Sequence, residues 1–140
     1  MIRRSLLLVA LCAISACSAT DTTEAGIALV AGTYQLVSVN DQPVPFVEVS
    51  TGTVVTLTGS QLITRNDGTF TETSTRTTTT AGTTTTATVS TSGTYSVGGS
   101  VVVFVSTGNG PSGLGSYNGG SSTPVLTVPV SSKSYIYRKQ

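Results

Sequence analysis

Thr69-Phe70-Thr71-Glu72-Thr73-Ser74-Thr75-Arg76-Thr77-Thr78-Thr79-Thr80 is the stretch on which the fold turns. Its alternation puts Thr69, Thr71, Thr73, Thr75, Thr77 and Thr79 on one face and Phe70, Glu72, Ser74 and Arg76 on the other, the period of two expected of a half-buried strand. Ala81-Gly82 then divides it from a second Thr-rich strand, and Thr fills 15 of the 26 positions from Thr69 to Thr94. A β-branched, part-polar side chain suits a pleated surface that faces water on one side.

The same pattern extends in both directions. Upstream, residues 53–58 and 61–65 flank Gly59-Ser60, a two-residue hairpin signal, and Asn66-Asp67-Gly68 leads into Thr69. Gly32–Val39 is predicted as the first strand, closed by Asn40-Asp41 and by Pro43 and Pro45, which lack a ladder donor and mark a loop. Downstream, residues 93–97, the Gly98-Gly99 turn and residues 101–105 make a further hairpin. The unbroken apolar run in its second arm predicts a strand buried on both faces. Residues 108–120 are predicted as a flexible loop, its functional alternative being a flap over a barrel mouth with Tyr117 at its tip, and residues 125–130 and 134–138 finish the chain. Gly32-Thr33-Tyr34, Gly68-Thr69-Phe70 and Gly93-Thr94-Tyr95 each set an aromatic ring two residues after a turn glycine, where it enters the core as a strand begins. The expectation is an all-β, antiparallel up-and-down meander of about eight to ten strands with no helix. Closure into a barrel is favoured because it removes exposed edges.

Composition agrees. The chain has 140 residues, 38% apolar, 9% charged and 6% aromatic, with 27 Thr, 15 Gly, no His, no Trp and a formal charge of +1. Charge lies far below the roughly 25% usual in soluble domains, and helix formers are scarce. With no excess of either sign, nucleic acid is not an expected partner. The absence of His removes the commonest acid–base and metal-ligand side chain.

The first residues carry a different signal. Met1-Ile2-Arg3-Arg4 is basic, residues 6–13 are apolar and Ser15 and Ala16 are small, the layout of a secretory signal peptide. The apolar run falls short of the roughly 20 residues a membrane-spanning helix needs. Ile14-Ser15-Ala16-Cys17 resembles the bacterial lipobox, which implies that Cys17 takes a diacylglycerol on sulfur and becomes the first mature residue; Cys12 does not compete, because Leu11 stands where a small residue is required. The alternative is a signal peptide cut at Ala16 or Ala19; the cut at Ala16 leaves Cys17 a lone exported thiol. Two acyl chains such as palmitate hold far more firmly than one, at about 0.8 kcal/mol per buried CH₂. Ser18 in place of Asp resembles the sorting signal of Gram-negative lipoproteins bound for the outer membrane, facing the periplasm. The expected organisation is a signal peptide over residues 1–16, a lipidated Cys17 and flexible tether over 17–31, and one β domain over 32–140.

Gly32-Thr33-Tyr34-Gln35-Leu36-Val37-Ser38-Val39-Asn40 with Pro43-Val44-Pro45, then Asn66-Asp67-Gly68-Thr69-Phe70, then Tyr135-Ile136-Tyr137-Arg138 together resemble small bacterial lipoproteins with a lipocalin-like domain. The resemblance spans the folded region and implies a lipocalin-like barrel; Tyr34 stands where lipocalins carry the Trp of their opening Gly-x-Trp. The Thr-x-Thr ladder resembles the arrays of some ice-binding β-proteins and would also suit glycan hydroxyls. Ice binders stack many strands in strict repeat, so β-propensity is the better account of this ladder.

Residues that carry chemistry are few. Gly108-Asn109-Gly110-Pro111-Ser112-Gly113 satisfies G-x-G-x-x-G, but no helix follows to bind a pyrophosphate and no acidic residue follows Glu72 to hold a ribose. Asp67 and Glu72 approaching across a turn would make an acid–base pair; the plainer expectation is that Asp67 caps a turn and Glu72 pairs with Arg76 on the same strand face. No G-x-S-x-G elbow occurs and the carboxylates lack calcium-loop spacing. The expected protein is a non-enzymatic, membrane-anchored envelope lipoprotein without cofactor, metal or catalytic residues. It would bind a small apolar ligand or an envelope partner, with Tyr34, Phe70, Tyr95, Phe104, Tyr135 and Tyr137 lining the centre. The alternative is a solid-core structural or interaction lipoprotein whose rings simply fill the barrel.

Overall fold

The computed structural model describes residues 22–140. After a helix α1 (Thr22–Val30), ten strands follow: β1 (Gly32–Val39), β2 (Gln42–Pro43), β3 (Phe46–Ser50), β4 (Thr53–Thr64), β5 (Thr69–Thr80), β6 (Thr83–Gly98), β7 (Val101–Ser106), β8 (Gly113–Asn118), β9 (Val125–Val130) and β10 (Lys133–Lys139). They form one antiparallel sheet in the order β2-β1-β10-β9-β8-β7-β6-β5-β4-β3, and an extra β1–β4 pairing closes it. The closed part is an eight-strand meander barrel, with β2 and β3 as additions. The expected all-β meander is what the chain adopts.

Three strand expectations change. Gly59-Ser60 is not a hairpin turn. β4 runs straight through it, and a bulge between Leu57 and Gly59 absorbs the extra residue against β5. At that bulge β4 also changes neighbours, pairing with β3 over Thr53–Leu57 and with β1 over Gln61–Thr64. Second, β7 is not buried on both faces: Val102 and Phe104 point inward while Val101 and Val105 are exposed. Its Val run reflects β-propensity as much as burial. Third, β8 lies inside the expected 108–120 loop, and Tyr117 packs against the core from within a strand rather than at a flap's tip. Its glycines hid it from a propensity reading, yet they are needed there: a Cβ on Gly115 would stand 2.3 Å from the Thr127 carbonyl oxygen and 3.2 Å from the Phe104 ring.

The helix is the fourth correction, because residues 22–30 belong to the segment expected to be a tether. Ala25, Ala28 and Leu29 favour a helix, but a nine-residue helix gains little from propensity alone. The barrel supplies the rest by hydrogen-bonding carbonyls of the last turn, of which Ile27 O also accepts from Ala31 N at 2.9 Å. Val30 O accepts from Tyr34 Oη at 2.6 Å and Thr64 Oγ1 at 2.8 Å, Ile27 O from Tyr95 Oη at 3.3 Å and Leu29 O from Lys139 Nζ at 3.3 Å. Gly26 lies flush on β6, where a Cβ would meet Val97 Cγ1 at 2.9 Å. Val30 is fully buried and Ile27 packs on the core, so α1 covers the barrel mouth formed by the starts of β1 and β5. At the other mouth Val44 and Phe46 pack against the core, beyond a cis Val44–Pro45 peptide bond.

Candidate functional site

The barrel centre is built from rings. Tyr34, Phe70, Tyr95, Phe104, Tyr135 and Tyr137 are each 5% exposed or less, with Leu62, Leu126, Val128 and others between them. Phe70 meets Phe104 edge-on at 5.4 Å between centroids, Tyr95 stacks on Phe104 at 6.2 Å and Tyr135 lies 6.5 Å from Tyr137. Tyr34, Phe70 and Tyr95 all point inward as expected, Tyr34 and Phe70 where β1 and β5 begin, but Gly93 lies inside β6 rather than at a turn, so Tyr95 enters from mid-strand. Glycines across from the rings make room for them: a Cβ on Gly93 would stand 2.8 Å from the Phe70 ring and 2.1 Å from the Val105 carbonyl oxygen. The phenols find partners at the edges of this core, Tyr95 Oη donating to Arg65 O at 2.7 Å as well as to Ile27 O. Burial pushes the Tyr95 phenol up to about 12, and it raises Tyr34 and Tyr135 as well.

One polar cluster interrupts the apolar interior. Glu72, on the inward face of β5, is 3% exposed. Ser60 Oγ donates to its Oε1 at 2.6 Å, Tyr137 Oη to the same oxygen at 3.3 Å, and Thr91 Oγ1 to Oε2 at 3.1 Å; Ser60 and Tyr137 lie 2.9 Å apart. Burial and the neighbouring Glu72 carboxyl raise the Tyr137 phenol well above its ordinary value. The expected Glu72–Arg76 pair does not form; the ion pair present among the described residues joins Lys133 to Glu48 at 2.7 Å. Arg76 Nε is buried without a hydrogen-bond partner. Asp67 is not brought to Glu72 either. It stays on the exposed turn, its Oδ1 accepting from Thr69 Oγ1 at 2.7 Å and Thr69 N at 2.9 Å, bonds that hold its carboxyl below the ordinary value. Nothing in the sequence pattern singled out Ser60 or Thr91 as partners of Glu72, because their meeting depends on the β4 bulge and on the β5–β6 register.

A concave feature lies on the outside of the barrel. A shallow depression of about 480 Å³ is lined by Gln35, Thr58, Gly59, Ser60, Gln61, Thr73 and Thr75. It lies where β4 exchanges β3 for β1, at the bulge, with Gly59 leaving out a side chain. Its walls are amides and hydroxyls without a charge, and Thr58 Oγ1 is already committed to Thr75 O at 3.0 Å. Such a surface suits an uncharged hydrogen-bonding group. Among the described residues no three His, Cys, Asp or Glu side chains converge to hold a metal ion, and no helix is long and apolar enough to cross a membrane. Cys17, with the rest of the proposed export signal and anchor, lies outside the described residues.

Comparison with protein families, with curated proteins and with solved structures finds no match for this chain.

Proposed function

We propose that this is a lipid-anchored envelope protein of the lipocalin-like type that acts through its outer surface rather than by carrying a small apolar molecule within the barrel. The observation that supports this reading is the filled centre: six rings, each 5% exposed or less, pack along the barrel. The two mouths are covered by α1 and by Val44 and Phe46. The seam depression between β1 and β3 is the natural contact surface for an envelope partner, which it would meet through uncharged polar groups. A non-enzymatic role fits the engagement of both candidate carboxyls, Glu72 inside the barrel and Asp67 in its turn.

The anchor rests on Ile14-Ser15-Ala16-Cys17. The deciding experiment is organic extraction of natively purified protein followed by mass spectrometry. The expected result is no small molecule in stoichiometric amount; a lipid or other apolar compound recovered at one per chain would overturn the surface-binding reading. Metabolic labelling with a fatty acid tests the anchor, and label retained in Cys17→Ser would refute it.

A further inference from the structure

β5 and β6 outrun the barrel. β7 pairs with β6 only over Gly93–Gly98, so the preceding residues of β6 have β5 on one side and no strand on the other among the described residues. The chain near Ser92 is met by Thr107, whose backbone N–H and hydroxyl both donate to Ser92 O, and Gly110 presses on Thr91. From Thr83 to Ser90, however, every residue is exposed. These eight positions, Thr83-Thr84-Thr85-Thr86-Ala87-Thr88-Val89-Ser90, carry no charge, no proline, no glycine and no bulge against β5. Those are the devices by which proteins protect a sheet edge from pairing with another chain.

The opposite edge of the same arm is protected. There β3 is five residues long, follows Pro45, and holds Glu48 at its middle in the ion pair with Lys133. The arm β3-β4-β5-β6 thus has one guarded edge and one bare one.

We infer that the bare edge of β6 pairs antiparallel with the same edge of a second copy of this chain, merging two four-stranded arms into one sheet. The strand is suited to itself. An antiparallel contact about a two-fold axis presents each copy with the same surface; without charge, no like pair meets across the axis, and most registers set Thr against Thr. That pair type is already in use between β5 and β6, where Thr79 and Thr84 hydroxyls lie 2.9 Å apart and Thr75 and Thr88 hydroxyls 3.3 Å. Each unpaired backbone N–H and C=O then exchanges water for a ladder partner.

Sedimentation equilibrium of the purified full chain over a range of concentrations is the test, with the double variants Thr84→Lys/Thr86→Lys on the bare edge and Val47→Lys/Val49→Lys on the guarded one. All four positions are exposed, so both variants should fold, and circular dichroism checks that they do. The expected result is a monomer–dimer equilibrium whose dissociation constant rises roughly tenfold or more when like charges are set across the axis in the β6 variant. The β3 variant should associate as the unaltered chain does. A protein that stays monomeric throughout the range, or a dimer that survives the β6 lysines, would overturn the inference, as would loss of the dimer in the β3 variant alone. The result is independent of whether extraction recovers a small molecule, so the two readings fail separately.

Discussion

The β5–β6 hairpin passes through two environments with nearly one sequence. In the barrel body its inward residues Phe70, Glu72, Ser74, Tyr95 and Val97 are buried. In the arm, residues 77–88 stay Thr-rich, and on β6 every side chain from Thr83 to Ser90 meets water. Local preference for strand is equal in the two regions. What differs is apolar area removed from water, the dominant favourable term in folding. The body should therefore account for the stability of the hairpin, and the arm should persist because it is continuous with the body and paired along its length.

The largest break in that contrast is expected from Phe70→Ala. It removes a ring that packs on Phe104 and lies over Gly93, and thermal or denaturant unfolding should show a loss of about 3–5 kcal/mol. Glu72→Ala comes next. Ser60, Tyr137 and Thr91 would each lose an acceptor inside the barrel, and a loss of about 2–3 kcal/mol is expected by the same measurement, with Glu72→Gln retaining part of it.

Alkali should separate the regions without mutation. The Tyr95 phenol is raised from 10.0 to about 12 in the folded state, so both states are neutral below pH 10 and this contribution to stability is complete there. Between about 10 and 12 the unfolded chain ionises first and stability falls as pH rises. Ultraviolet titration of phenolate absorbance should show Tyr95 ionising near pH 12, or together with unfolding. The smallest effect is expected from Thr79→Ala in the arm: loss of one exposed hydroxyl pair should change stability by about 0.5 kcal/mol or less. A loss comparable to that of Phe70→Ala would refute the division into body and arm.

The parts of this molecule that were legible in the sequence are those set by local rules. Alternation in Thr69–Thr80 marked β5, Ala81-Gly82 marked its turn, and the glycine-plus-aromatic triplets marked where rings enter. What escaped was decided at long range. Residues 22–30 form a helix because Tyr34, Thr64, Tyr95 and Lys139 take up its carbonyls, and those partners lie up to 110 positions away. β8 forms because its glycines fit under Phe104 and against β9, a reason invisible to propensity. Same-face spacing along one strand points Glu72 at Arg76. The actual partners of Glu72 come from the neighbouring strands β4 and β6, through the bulge and the register, and from β10, which closure of the barrel brings in.

The seating of α1 on one mouth also sets how the whole body would stand. If Cys17 carries lipid, five peptide steps join it to Thr22, a leash of at most about 18 Å. From that same mouth the twelve residues of β5 rise to the Ala81-Gly82 tip, roughly 40 Å away. Such a protein would be moored near that mouth, and its threonine-clad tip would be the end of β5 farthest from the mooring.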